Sequence, residues 1–152
     1  QSTASVLIDL SGMKEGDVAG FSAFNSDSAV LGVEMKDGAK TLVLTEESVR
    51  LHPHNKAVLD VKKKIVAEVP LKKDRIWLRI DADFRPGDTR DIAKFWYSLD
   101  GKEWTRIGDD YRMRFDWQRF FMGTKFAIFN YATQEAGGYV DVDYFAYEKI
   151  NN

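Results

Sequence analysis

The stretch Arg75-Ile76-Trp77-Leu78-Arg79-Ile80-Asp81-Ala82-Asp83-Phe84 decides the fold. Ile76, Leu78, Ile80, Ala82 and Phe84 take alternate positions, and Arg75, Trp77, Arg79, Asp81 and Asp83 take the others. So long a run at a period of two marks a half-buried β-strand, because successive side chains of an extended chain point to opposite faces. Trp77 is the anomaly, a large ring among charges. Past the turn cluster from Arg85 to Asp91, Ala93, Phe95, Tyr97 and Leu99 alternate with Lys94, Trp96 and Ser98, and a second Trp again stands on the polar side. Matching the apolar faces of the two strands demands that paired residue numbers sum to an odd value. One such register sets Ala82 opposite Phe95, Asp83 opposite Lys94 and Asp81 opposite Trp96. Trp77 and Trp96 then share one face, four residues apart along the strand, or roughly 13 Å.

The same reading extends along the chain. Asp37-Gly38 and Asp100-Gly101 supply hairpin turns, the first between runs 30–35 and 40–45, the second leading into 104–107. Further strands are expected over 4–10, 18–24, 57–69, 120–131 and 139–149. In 57–69 the odd positions Leu59, Val61, Ile65, Ala67 and Val69 form an apolar face, and Lys62, Lys64 and Glu68 form a solvated one. The run 120–131 is apolar on both faces and reads as a central core strand, or as a strand whose start is a loop pushing a ring into a neighbour's cleft. Ten or so short strands with turns between them, and no helix-period stretch to compete, predict an all-β antiparallel two-sheet jelly-roll sandwich forming a single domain over residues 1–152.

Composition narrows the function. The 152 residues are 44% hydrophobic and 13% aromatic, with 10 Phe, 6 Tyr and 4 Trp. The formal charge of -2, with 22 basic against 24 acidic side chains, lacks the basic footprint that phosphate backbones need, so nucleic acid is not an expected partner. No run approaches the roughly 20 apolar residues of a membrane span. Without cysteine there is no disulfide framework and no thiolate site. The chain opens on Gln1 with no charged-then-apolar leader, which suggests an excised piece of something longer.

A polar sheet face carrying isolated indoles suits carbohydrate. A pyranose offers a C–H face to aromatic rings and a rim of hydroxyls to charged groups. Trp77, Trp96, Asp81 and Arg79 are therefore the candidate carbohydrate-binding residues, unless another layer covers the rings. No catalytic residue is assigned. Glycoside hydrolysis needs two carboxylates about 5 to 9 Å apart, and the nearest pair, Asp141 and Asp143, departs from the Glu-x-Asp-x-Glu of sandwich glycosidases, with Phe145 at the third place. That pair is a candidate Ca²⁺ site, although such an ion wants six to eight oxygens and two acids cannot fill the shell. His52 and His54, two apart around Pro53, have no third ligand in view for zinc and read as a turn.

Several stretches resemble a known family. Phe95-Trp96-Tyr97-Ser98-Leu99-Asp100-Gly101 with Trp104 and Gly108, Phe121-Met122-Gly123 through Phe129-Asn130-Tyr131, and Gly138-Tyr139-Val140-Asp141-Val142-Asp143-Tyr144-Phe145 are similar to the C-terminal concanavalin A-like sandwich of family 43 glycoside hydrolases, which are β-xylosidases and α-L-arabinofuranosidases. The resemblance implies a non-catalytic accessory domain of a xylan- or arabinoxylan-degrading enzyme, an extracytoplasmic (periplasmic or secreted) setting, and a catalytic propeller in the same polypeptide as partner. It also implies that Phe120 and Phe121, beside Gly123, complete that propeller's pocket. Relatives have further strands before this point, so a sheet edge left without its neighbour and able to pair with another copy is expected. An autonomous xylan-binding module, taking xylo- or arabinoxylo-oligosaccharides, and a catalytic sandwich are the alternatives.

Overall fold

The computed structural model describes residues 1–85, 91–117 and 121–150. Ten strands follow in order: β1 (Ser2–Asp9), β2 (Asp17–Phe24), β3 (Asp27–Lys36), β4 (Ala39–Leu51), β5 (Val58–Leu71), β6 (Arg75–Asp83), β7 (Ile92–Ser98), β8 (Thr105–Arg112), β9 (Lys125–Ala132) and β10 (Asp141–Lys149). They form two five-stranded sheets, β10-β1-β6-β7-β8 and β5-β4-β3-β2-β9, with every pair antiparallel. This is the two-sheet antiparallel sandwich that the alternation demands.

The core lies between the sheets. Val6, Ile8, Ile76, Leu78, Ile80 and Phe95 from the first sheet meet Phe21, Leu31, Val33, Leu42 and Leu44 from the second, all sealed from solvent. Each such side chain contributes about 1.5–3 kcal/mol by leaving water. Asp37 and Gly38 both have positive φ (53° and 73°), as a two-residue hairpin twisted with its strands requires. The second expected hairpin is looser. β7 ends at Ser98 and β8 starts at Thr105, and of the Asp100-Gly101 pair only Gly101 has positive φ.

Three expectations are corrected. The β6–β7 register keeps the odd parity but is displaced by two residues, pairing Ala82 with Ala93, Asp81 with Lys94 and Arg79 with Trp96. Alternation sets which face a residue takes, and a shift of two leaves every face unchanged. Trp77, opposite Ser98, and Trp96 are therefore diagonal neighbours, about 7–8 Å apart rather than 13 Å.

The second correction concerns β5. A bulge lies where Leu44 pairs with Ala67 and Thr45 with Ile65. It inverts the alternation, because one extra residue on one strand turns all that precede it to the other face. Ala67 and Val69 pack on the core, whereas Leu59, Val61 and Ile65 are exposed.

The third concerns the aromatic run. β9 is an edge strand, paired with β2 alone among the described residues. Its two apolar faces serve different surroundings. Phe126 stacks on Phe21 in the core at 5.8 Å, while Phe129 lies over Gly32 on the sheet's outer side. The facing edge, β10, turns Val142, Phe145 and Tyr147 toward the core side, opposite Ile8, Val6 and Ala4. All three are exposed, and Tyr147 alone of them meets a ring of β9, Phe126, edge-on at 6.2 Å among the described residues.

Candidate functional site

On the outer side of the first sheet, parity places Arg79, Asp81, Lys94 and Trp96 together, as the sequence anticipates, and Arg106 joins Trp96 from β8. Asp81 accepts hydrogen bonds from Thr3 Oγ1 (2.8 Å) and from Arg79 Nε and Nη2 (2.7 and 3.1 Å). That fork fixes the Arg79 guanidinium over the Trp104 ring, 5.6 Å from its centroid. Arg106, ion-paired with Asp110, lies 5.9 Å over Trp96 in the same manner. Two carboxylate–guanidinium–indole stacks thus stand side by side, each arginine held electrostatically by its carboxylate and by the ring's negative face. A cleft of about 360 Å³ opens beside them, lined by Thr3, Arg79, Asp81, Asp83, Lys94 and Trp96 among others. At its rim the Arg85 side chain holds the Asp83 carboxyl well below the usual carboxylate range.

Both predicted indoles are half-buried. Trp77 meets the Tyr144 ring at 5.1 Å and the Gly101 turn, where an added Cβ would fall 2.9 Å from the indole. Trp96 belongs to the cleft, and its Nε1–H is buried with no acceptor. The structure therefore gathers Arg79, Asp81 and Trp96 around one cavity and sets Trp77 apart, against β10.

A second cluster occupies the turn end of the sandwich. Phe120 lies outside the described residues. Phe121 is 76% exposed, has a φ of 51° and meets Phe115 edge-on at 5.4 Å, with Trp117 also exposed nearby in sequence. Buried Asn25, in the β2–β3 turn, donates from Nδ2 to the Arg114 carbonyl (2.9 Å) and the Met122 carbonyl (3.2 Å). Its Oδ1 accepts from the Ser26 amide (2.8 Å), and Ser26 Oγ donates to Asp116 Oδ2 (2.5 Å). Asp116 and Met122 close the loop with reciprocal backbone bonds of 3.1 and 3.2 Å. These polar groups escape pattern reading, since an Asn-Ser dipeptide at a turn looks like ordinary turn chemistry.

The other candidates are placed plainly. Asp143 is ion-paired with Arg75 at 2.5 Å, and Asp141 stands opposite Asp9. No group of three or more metal-ligating side chains occurs among the described residues. His52 Nδ1 accepts from the amides of His54 and Asn55, which makes it a turn residue.

Comparison with known proteins agrees with this architecture. Residues 1–148 match the model of the beta xylosidase C-terminal concanavalin A-like domain. A beta-xylosidase of Formosa agariphila is 27% identical over 146 residues, which are 96% of this chain and 21% of that protein. Among solved structures, a GH43 glycoside hydrolase engineered to display both endo-xylanase and exo-arabinofuranosidase activity superposes with a TM-score of 0.86 at 30% identity, over 99% of this chain and 29% of that one. A bifunctional GH43-CE protein of Bacteroides eggerthii gives a TM-score of 0.81 at 39% identity, over 99% and 18%. The chain thus spans less than a third of each of these relatives, and it belongs to the family of C-terminal concanavalin A-like domains found in GH43 glycosidases.

Proposed function

We propose that this chain is a non-catalytic accessory domain of a xylan- or arabinoxylan-degrading glycosidase acting outside the cytoplasm, and that it packs on the catalytic propeller of the same polypeptide and completes its pocket. The observation that carries this reading is the exposed ring of Phe121, next to Met122, whose backbone is held by Asn25 and Asp116. An exposed aromatic side chain costs solvation unless a partner covers it, and the backbone bonds between Asp116 and Met122 lower the ordering cost of that contact. The reading is tested in a polypeptide that joins this domain to its GH43 catalytic domain. Phe121→Ala should raise KM or lower kcat on xylo-oligosaccharides severalfold and leave the melting temperature of the isolated sandwich unchanged. Unaltered kinetics would remove the pocket role.

A second reading rests on the cleft beside Trp96. Arg79, Asp81 and Lys94 offer charged partners for hydroxyls there, with the indole edge as the apolar wall. Binding through one partly capped ring is weak, with a Kd of about 0.1 to 1 mM, or about 4–5 kcal/mol. Trp fluorescence on titration with xylohexaose should change and the change should vanish in Trp96→Ala; a silent titration eliminates this reading.

A further inference from the structure

β5 and β8 are the edge strands on one side of the sandwich, each paired with a single neighbour among the described residues. The two edges meet at Val66 and Gly108, where an added Cβ would lie 3.2 Å from Val66 Cγ1. A cavity of about 720 Å³ adjoins that contact, lined by Glu46, Lys62, Lys64, Tyr111, Arg112 and Arg114 among others. Its balance of charge is positive. Lys63 and Glu47 are ion-paired with each other at 3.0 Å, and Asp110 is held by Arg106 outside the lining. Four cations, Lys62, Lys64, Arg112 and Arg114, then stand against two acids, Asp27 and Glu46. Among the described residues neither Lys62 nor Lys64 is in an ion pair, although Glu46 is the residue opposite Lys64. Register fixes the two faces of β5. Lys62 and Lys64 oppose Ser48 and Glu46, on the side of the core residues Leu42 and Leu44, and Asp60, the one acid of the run, opposes Arg50 there. Val58, Val61 and Ile65 oppose Leu51, Val49 and Thr45 on the outer side, and all three are exposed. Lys63, also on the outer side, is turned to Glu47 and Tyr131. The edge from 58 to 65 thus has one cationic face and one apolar face. Its backbone is also unspent, because an edge strand directs the N–H and C=O of alternate residues away from its neighbour.

We propose that the 58–65 edge of β5 is a docking site for an extended segment of a partner protein in which acidic and apolar residues alternate, added to the sheet as a further strand. Its main chain takes up the outward backbone groups of β5, as strand addition does at an exposed sheet edge. Alternation then sends its carboxylates into the cavity toward Lys62, Lys64, Arg112 and Arg114, and its apolar side chains to the outer side beside Val58, Val61 and Ile65. Opposite charges that face each other across paired strands stabilise the pair, and like charges destabilise it. Lysines on a free edge therefore act against pairing with a second copy of this chain and in favour of an acidic strand. A polyanion without apolar groups satisfies the lysines but leaves Val58, Val61 and Ile65 in water, so the outer face selects a polypeptide. Eight residues of strand span about 25 Å, and a short linear segment is enough to cover the edge. The site rests on neither Phe121 nor Trp96, and it is independent of the accessory role.

The test titrates the uniformly ¹⁵N-labelled chain with a synthetic peptide of four Glu-Val repeats, acetylated and amidated, and follows the amide shifts. Shifts should cluster on residues 58–65, and the affinity should fall as salt rises. A peptide of the same composition, with all its Glu preceding all its Val, should bind about tenfold more weakly. Lys62→Glu combined with Lys64→Glu should also weaken binding about tenfold and leave the melting temperature unchanged, since both side chains are exposed. Backbone pairing has a signature of its own. Alternate amides of the peptide face β5, so methylating the Val nitrogens or the Glu nitrogens should abolish binding in one case and spare it in the other. Five results would each overturn the proposal: no shifts on 58–65, equal affinity for the alternating and the segregated peptide, methylated peptides that behave alike, polygalacturonate bound as tightly as the peptide, or a dimer of the peptide-free chain that the double variant dissociates. A failure here leaves the Phe121 reading standing, since that is decided by the kinetics of the joined enzyme.

Discussion

Replacing Asn25 by alanine isolates what holds the aromatic loop in place. The side chain makes three hydrogen bonds in a buried setting, two from Nδ2 to the carbonyls of Arg114 and Met122 and one from the Ser26 amide to Oδ1. At about 1 kcal/mol net apiece the loss is about 3 kcal/mol in all, of which the two bonds from Nδ2 carry about 2 kcal/mol, or about thirtyfold in an opening equilibrium. Two of the three bonds cross to the 114–122 loop, so the loss should fall on that segment ahead of the sheets. Native-state hydrogen exchange reads it directly, because the amides of Asp116 and Met122 bond to each other's carbonyls and exchange only when the loop opens. Both should exchange about thirtyfold faster in Asn25→Ala, while the Phe21 and Leu31 amides keep their protection. Asn25→Asp should be at least as damaging, since it replaces the donor with a charge that faces two carbonyls. If Asp116 and Met122 exchange at the parental rate while the melting temperature drops by the about 6–12 °C of a global 3 kcal/mol loss, Asn25 is a residue of the sandwich and not of the loop.

Three further expectations follow from local geometry. The Asp100 carboxyl is drawn from 3.8 down to about 2, first by the Glu103 amide, then by the Lys102 amide and the Ser98 hydroxyl. The folded state therefore binds fewer protons than the unfolded chain, so the stability it lends is complete above about pH 5 and drains away as the pH falls from about 4 toward 2. Asp100→Asn should flatten that part of the melting-temperature profile, and a profile identical to the parent's would contradict the assignment. In Gly138→Ala the new Cβ would fall 1.6 Å from Asp17 Oδ2, which already accepts the Lys14 amide at 2.7 Å. A loss of about 1–3 kcal/mol should appear as a lower urea midpoint; an unmoved midpoint would show that Asp17 yields freely. Ile65→Ala should cost under about 0.5 kcal/mol, and Val69→Ala on the far side of the bulge distinctly more. Equal losses would mean that the β5 alternation runs unbroken.

Face assignments were legible wherever a strand is half-buried. Alternation alone puts Ile76, Leu78 and Ile80 inside and Arg79, Asp81 and Trp96 outside, and the structure agrees. Phase was not legible. A shift of two residues preserves every face, and the length of the 84–91 connection that sets the phase has no pattern of its own. The β5 bulge was hidden for a related reason: Val66 is apolar like its neighbours, so nothing in composition marks the residue at which parity inverts. The aromatic run Phe126–Tyr131 misleads because apolar residues on both faces suggest a central strand. In the fold those faces meet the core on one side, through Phe126 on Phe21, and the outer side of the second sheet on the other, through Phe129 over Gly32. The Asn25–Ser26–Asp116 network joins residues 90 apart in sequence, and no local rule connects them.

The strand order also bears on how the chain assembles. β2, β3, β4 and β5 form an uninterrupted meander, whereas β9 must find β2 and β10 must find β1 across a hundred or more intervening residues. Closing such large loops is entropically slow, so contacts of short range can accumulate well before the two sheets gain their final members. The partners that arrive last are the two edge strands whose Phe126 and Tyr147 rings meet across the sandwich. Until both have docked, Phe21 and Val6 lack their eventual cover, and it is in this interval that nascent chains are most exposed to misassociation with one another.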